Sequence, residues 1–216
     1  MMSKITPSSP YRESRFRIIM ALVDEIVSQH GFCRIIDLGG TPTYWETAPA
    51  FAQRADMSVL IVNREYFTSD DPRITCIVGD ATDMSSYSKN EFDLVHSNSV
   101  IEHVGSQENM AKMAEEVMRL APVYYVQAPN YWFPYEFHTR MIGFHWLPKR
   151  LRLTLMMYRS CGHYPRARSR AEAQQYVADA NSVTYRQMRR LFPDAAITGE
   201  KFLGLNKSWM VVNRSR

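Results

Sequence analysis

The 216-residue chain predicts an α/β domain built on a mainly parallel sheet. Three observations point there. Short apolar runs of strand length recur at 33–38 (CRIIDL), 58–62 (SVLIV), 74–78 (ITCIV), 93–96 (DLVH) and 123–127 (VYYVQ). Stripes of helical period precede and separate them. Asp37, Gly39 and Gly40 stand at the end of the first run, and open parallel sheets bind ligands at the carboxyl ends of their strands.

Along the chain, the spacing of Phe16, Ile19, Met20, Val23 and Val27 predicts a helix over 15–30, stopped by Gly31. Only eleven residues, Asn63 to Arg73, join the second and third strands, and Pro72 interrupts them. A parallel crossover normally takes a dozen or more residues and a helix, so a vestigial helix of about one turn is expected here. Met110, Met113, Ala114, Val117, Met118 and Ala121 mark a second helix closed by Pro122, its methionines serving as core. From 129 to 183 the rhythm gives way to aromatics, prolines and cations with no clean strand. A helix follows over Thr184 to Phe192, with Thr184 as N-cap, then strands at 195–201 and 208–213.

Composition sets outer bounds. With 45% apolar and 22% charged residues the chain reads as an ordinary globular protein of one domain spanning 1–216. No apolar run approaches the ~20 residues of a membrane span. The opening MMSKITPSSPYRESR lacks a signal-like apolar centre, so a cytoplasmic location is expected. Cys33, Cys76 and Cys161 lie far apart, which supports neither a metal site nor a disulfide framework. The net charge of +4 is local in origin. Phe137 to Ala171 contains no acid and carries Arg140, Lys149, Arg150, Arg152, Arg159, Arg166, Arg168 and Arg170. Such a window is either a solvated face or an attraction for an anionic group.

The turn after the first strand reads G-G-T-P-T-Y, which fails the G-x-G-x-x-G pattern of dinucleotide binding. Thr41 and Pro42 suit a pyrophosphate poorly, and a cofactor without phosphate is less demanding there. Asn63 ends the second strand, where a polar side chain can meet a ribose diol. IVGDATDM places Asp80 and Ala81 past the third strand, and EFDLVHSNSVIEHVG follows at 91–105. With these three ordered segments, residues 33–128 resemble the class I S-adenosylmethionine-dependent methyltransferases, in the small single-domain bacterial group. YVQAPNYWFP and GLNKSWMVV look similar to members that tailor polysaccharides and small molecules.

The resemblance implies a Rossmann-like three-layer sandwich with a seven-stranded, mostly parallel sheet and an antiparallel C-terminal strand. It also implies an acceptor-binding lid inserted after strand five, at 129–183. S-adenosylmethionine is the implied cofactor. Asp37, Gly39, Gly40 and Thr41 would form its turn, Asn63 would face the ribose, and Asp80 and Ala81 the adenine. Ser97 and Asn98 would line the methionine moiety. Thr41 departs from the family's second glycine, and Asn63 from its usual acid.

If the acceptor is a hydroxyl, a base must take its proton. His103, His138 and His145 are the candidates, with His138 favoured as base and Glu136 as its orienter. Tyr131 and Trp132 fit the wall of a pocket for a saccharide or planar acceptor. Arg150 and Arg152 would meet an anionic group on the acceptor, or the cations and leucines of 147–155 would rest on the inner face of a membrane bearing a lipid-linked acceptor. No nucleic-acid-reading module is present in the window. Two competing readings are a non-catalytic relative of the same fold and a nicotinamide oxidoreductase. The missing third glycine and the absence of a Tyr-x-x-x-Lys pair disfavour the latter.

Overall fold

The computed structural model describes residues 10–214. In chain order its elements are α1 (Pro10–His30), β1 (Cys33–Leu38), α2 (Pro42–Glu46), α3 (Pro49–Ala52), β2 (Met57–Asn63), β3 (Ile74–Val78), β4 (Leu94–Asn98), α4 (Gln107–Leu120), β5 (Val123–Pro129), β6 (Tyr135–Glu136), β7 (Met141–Ile142), α5 (Lys149–Tyr158), α6 (Arg170–Asp179), α7 (Tyr185–Leu191), β8 (Ala196–Phe202) and β9 (Leu205–Asn213). The main sheet runs β3-β2-β1-β4-β5-β9-β8. β1 to β5 are mutually parallel, and β9 is antiparallel to both β5 and β8. This is the Rossmann-like sandwich expected, with the strand order reversing between β1 and β4.

Strand parity builds the two cores. Ile36, Leu38, Val95, Tyr124 and Val126 face α4 and α7, where Met110, Met113, Val117 and Phe192 close over them. Cys33, Ile35, Leu94, Val123 and Tyr125 face the opposite way, onto Phe16, Ile19, Val23 and Trp45 of α1 and α2. Fully burying an aliphatic or aromatic side chain contributes about 1.5–3 kcal/mol, so this double-sided burial is what holds the strands parallel. Of the predicted α4 stripe, Met118 is the member left partly exposed.

Several boundaries differ from the sequence reading. α1 starts at Pro10 rather than 15, since proline is well tolerated at the first helical position. The predicted turn of helix between β2 and β3 is not there. Arg73 pins that link instead: it pairs with Asp71 (2.5 Å), donates to the Phe51 carbonyl (2.7 Å) and lies 3.9 Å from the Phe51 ring centre. Thr41-Pro42 turns out to be a helix start, with Thr41 as the extended N-cap residue of α2 and Pro42 within its first turn. Thr184 caps α7 as expected, in a reciprocal capping box with Gln187.

Residues 129–183 leave the sheet and return to the same place. Val183 N–H donates to the Pro129 carbonyl (3.0 Å), and Tyr131 N–H donates to the Val183 carbonyl (2.9 Å). Between these ties lie the two-residue hairpin β6–β7 and the helices α5 and α6, which the sequence did not resolve. Phe144, Leu153, Met156, Cys161, Ala173 and Val177 form a separate small core there. Among the described residues, no helix is long and apolar enough to cross a membrane.

Candidate active site

Where the strand order reverses, the tips of β1 to β4 enclose a cleft of about 240 Å³. Gly39 forms its floor at φ +78°, a left-handed conformation natural to glycine. A Cβ there would sit 2.5 Å from Val100, so the backbone approaches that side chain as closely as it can. Gly40 is equally constrained, because a Cβ would fall 1.8 Å from Asp37 Oδ2. Asn63 clamps the turn from the next strand: its Nδ2 donates to the carbonyls of Gly40 (2.8 Å) and Gly39 (3.2 Å), and its Oδ1 accepts from Glu65 N–H (3.0 Å).

Asp80 and Ala81 line the far wall. Asp80 Oδ1 accepts from the Thr82 N–H (2.9 Å) and hydroxyl (2.7 Å), and Oδ2 pairs with Arg64 (3.0 Å). These hydrogen bonds, led by the Thr82 N–H, hold the Asp80 carboxyl below its ordinary value. Val62, Val100 and Val104 give the cleft apolar walls, and among the described residues Arg64 is the one cation lining it.

Asp37 lies elsewhere. Its odd parity in β1 turns the carboxylate into the α1 side of the sheet, where it is fully buried. Trp45 Nε1–H donates to Oδ2 (2.7 Å) and His96 Nδ1–H to Oδ1 (2.7 Å). Its influence reaches the turn through Gly40. Ser97 is buried too, and its hydroxyl donates to the Leu38 carbonyl (3.0 Å). Asn98 Oδ1 accepts from Arg15 Nη1 (3.1 Å), and Arg15 is held by two bonds to Glu200 (2.9 and 2.6 Å).

A second cleft, of about 200 Å³, opens over the tips of β4 and β5. Arg15, Gln127, His138 and Lys207 line it, and Ser99 borders both clefts. His103 lines the first, and its ring meets that of His138 edge-on at 5.1 Å. Burial, then the nearby His138, lowers the His103 pKa to about 4. Glu136 Oε1 accepts from His138 Nδ1–H (2.8 Å) and its N–H (3.0 Å), and Oε2 from Thr139 N–H (2.6 Å). Burial opposes ionisation of Glu136, but these donors outweigh it and hold the pKa at about 2. The result is a carboxylate–imidazole pair on the wall of the second cleft. Glu102 is fully buried with neither oxygen hydrogen-bonded, its Oε1 3.8 Å from His103 Nε2, and burial pushes its pKa up to about 8.

The other predicted residues do not reach either cleft. Tyr131 serves through its backbone carbonyl, which accepts from His145 Nε2–H (2.7 Å) and Trp146 Nε1–H (3.0 Å), while Trp132 is largely exposed. Arg150 lines a separate open groove of about 750 Å³ with Arg166 and Arg170, and Arg152 sits half-buried on the same helix. Sequence reasoning missed Arg15, Ser99, Gln127 and Lys207. Ser99 takes φ +56°, a rare conformation for serine, but its position two residues after the predicted Ser97 was the only signal. Arg15 reaches Glu200 across 185 residues of sequence, and Lys207 pairs with the same carboxylate, a convergence no local pattern discloses.

Residues 39–122 match the family model described as a methyltransferase domain. Two curated proteins from two strains of Mycobacterium tuberculosis, both described as uncharacterized, are 27% identical over 57% of this chain and 46% of their own length. The chain thus spans about half the length of these curated relatives. Among solved structures, an S-adenosylmethionine-dependent methyltransferase from Archaeoglobus fulgidus aligns with a TM-score of 0.57 at 10% identity, over 93% of this chain and 91% of that one. An O-methyltransferase family protein from Burkholderia thailandensis gives 0.51 at 13% identity, over 95% and 58%. An N-methyltransferase from Bradyrhizobium japonicum, in complex with S-adenosyl-L-homocysteine, gives 0.51 at 9%, over 97% and 89%. The match to the methyltransferase-domain model is thus confined to residues 39–122, which carry the tips of β1 to β4. The chain as a whole has the class I S-adenosylmethionine-dependent methyltransferase fold.

Proposed function

We propose that the protein transfers the methyl group of S-adenosylmethionine to a hydroxyl of a small molecule or saccharide. The observation that carries this reading is the pair of adjoining clefts, joined at Ser99 and flanked by His103 and His138. The residues of the first cleft suit a phosphate-free nucleoside. Its walls are valines and an alanine, its polar groups are Asn63, Asp80, Ser99, His103 and backbone, and Arg64, already paired with Asp80, is a single cation rather than an array suited to a pyrophosphate. Asp80 and Ala81 would meet the adenine, the Gly39–Gly40 turn held by Asn63 would border the ribose and amino-acid end, and Asn98 with Ser99 would flank the methionine arm. The donor, when bound, supplies a methyl carbon on a sulfonium, a good leaving group.

The chain's contribution is mainly alignment, which can be worth up to about 7–11 kcal/mol. An acceptor hydroxyl placed at His138 Nε2 would give its proton to that nitrogen, while the donor, when bound, would supply the methyl group and a thioether leaving group. Glu136 fixes the ring so that Nδ1 carries hydrogen and Nε2 stays basic. Residues 129–183 act as the acceptor-binding segment, with the Arg150–Arg166–Arg170 groove receiving an anionic part of the acceptor or of a membrane surface.

A second reading, a non-catalytic relative that binds the donor, is favoured by one observation: the Asn63 amide is spent on the turn and is not open to a diol. Calorimetry with S-adenosylmethionine and S-adenosylhomocysteine, combined with transfer of labelled methyl to extract fractions, separates the two. Nucleoside binding with label in an acidic or base-stable ether product supports methyl transfer. Binding with no labelled product in any fraction supports the second reading, and no nucleoside binding removes both.

A further inference from the structure

A groove of about 520 Å³ adjoins the His138 cleft and differs from it in chemistry. Phe133, Phe137 and Phe202 form its base: Phe133 and Phe137 stack at 5.8 Å and 1°, and Phe202 meets Phe133 edge-on at 6.0 Å. Ile142, Leu203 and Leu205 rise around it and remain 80%, 89% and 53% exposed. Leu203 adopts φ +47° and Gly204 φ +83°, as the central pair of the tight turn between β8 and β9. Asn, Asp and Gly are favoured in that conformation. Here a leucine takes it and lays its side chain along the groove rather than in a core. Contiguous exposed apolar surface of this kind marks a binding site more often than chance.

Continuity identifies the occupant. Phe137 and Lys207 line both the groove and the cleft of His138, so the two are one channel with an apolar end and a polar end. Among the described residues Lys207 is the groove's one charged side chain, and its ammonium lies 3.7 Å from the Tyr11 ring centre and 5.3 Å from that of Phe137, at the junction. A bare sugar would fill the polar end and leave the aromatic base wet.

We propose that the methyl acceptor is amphipathic: an alkyl or acyl chain lies in the Phe133–Phe137–Phe202 groove and carries its polar head, with the hydroxyl, to His138. This deepens the methyl-transfer reading and rests on it. The groove selects acceptors by chain length, and the His138 cleft by the head.

Isothermal titration of the full chain with hexyl, octyl and decyl β-glucoside, each below its micelle-forming concentration, tests it. Affinity is expected to rise roughly fourfold per added methylene, as about 0.8 kcal/mol per buried CH₂ requires. Ile142→Glu and Leu205→Glu alter exposed side chains and should weaken octyl glucoside at least tenfold while leaving S-adenosylhomocysteine affinity unchanged. A flat chain-length series, or unchanged affinity in both variants, overturns the groove assignment while donor binding keeps the methyl-transfer reading alive. A normal series in a protein that binds no S-adenosylhomocysteine overturns the acceptor role through failure of the underlying reading. A dimer by sedimentation that Ile142→Glu dissociates makes the groove a contact between two copies, and also overturns it.

Discussion

The rings of His103 and His138 meet edge to face with centroids 5.1 Å apart, His103 lining the first cleft and His138 the second. Their chemistry divides. Burial lowers the His103 pKa to about 4, so it is neutral throughout the physiological range and does not repel a sulfonium. A fixed cation at that place would. Two unit charges about 6 Å apart at an effective dielectric of about 20 cost about 3 kcal/mol. His103→Lys should therefore weaken S-adenosylmethionine at least tenfold more than the uncharged S-adenosylhomocysteine. Equal losses for both nucleosides in parallel titrations would show that His103 lies away from the sulfonium.

His138 is expected to act through its Nε2. His138→Ala should lower labelled methyl transfer by about 10²–10⁴ with little change in nucleoside affinity, the usual range for losing a positioned base. Glu136→Gln should reduce transfer less, because the ring remains but its tautomer is no longer dictated. If transfer persists at the wild-type rate in His138→Ala, the base is elsewhere.

The same Glu136 predicts an acid limit to stability. Its pKa is about 2 in the folded chain against about 4.3 when unfolded, so its contribution is complete above about pH 4.3 and disappears as the pH falls towards 2. Two pKa units correspond to about 3 kcal/mol. Glu136→Gln should be less stable than wild type in urea melts at pH 7, with the gap closing between pH 4 and 2. A gap that is constant with pH would assign the loss to packing.

Glu102 predicts the reverse. Burial raises its pKa to about 8, so its folded form is the neutral acid. Below about pH 4.3 both states are protonated and there is no penalty. From there to about pH 8 the unfolded chain ionises and the folded one does not, so stability falls by up to about 1.4 kcal/mol per unit. Glu102→Gln should match wild type near pH 4 and exceed it increasingly up to pH 8. A variant less stable than wild type at pH 7 would indicate a partner for the carboxylate.

Gly40→Ala and Asp37→Ala test the turn from opposite sides. The first drives a methyl into Asp37, and the second leaves Trp45 and His96 without an acceptor in a buried setting. Losing a buried, charge-assisted partner costs about 3–5 kcal/mol, and Asp37→Ala should lower the melting midpoint accordingly. Gly40→Ala should weaken S-adenosylhomocysteine at least tenfold. Unchanged affinity in Gly40→Ala would separate the turn from donor binding.

The mainly parallel sheet was legible because β1 to β5 are short apolar runs and α1 and α4 keep a helical period. The turn after β1 was legible in Gly39 and Gly40, but the burial of Asp37 on the other face was not. Adjacent strand residues point to opposite faces, and the burying partners, Trp45 and His96, come from separate segments. Thr41-Pro42 looked like a fault in a glycine turn because the brief helix it starts, α2, has too few residues to show a period. The insertion was harder still. Its small core is assembled from β7, α5 and α6 side chains that no single periodic window contains. Arg15 and Lys207 show the general limit: a site made by residues meeting across the whole chain leaves no local trace.

The β2–β3 link, fastened by Arg73 instead of roofed by a helix, leaves the outermost strand with a bare flank. β3 hangs from β2 alone, and Val78 at its tip is mostly open to water. Its amides should be among the first in the sheet to exchange with solvent. A nucleobase docking on Asp80 and Ala81 would then do more than report donor recognition. It would supply the missing cover, stiffening that margin and slowing exchange there first.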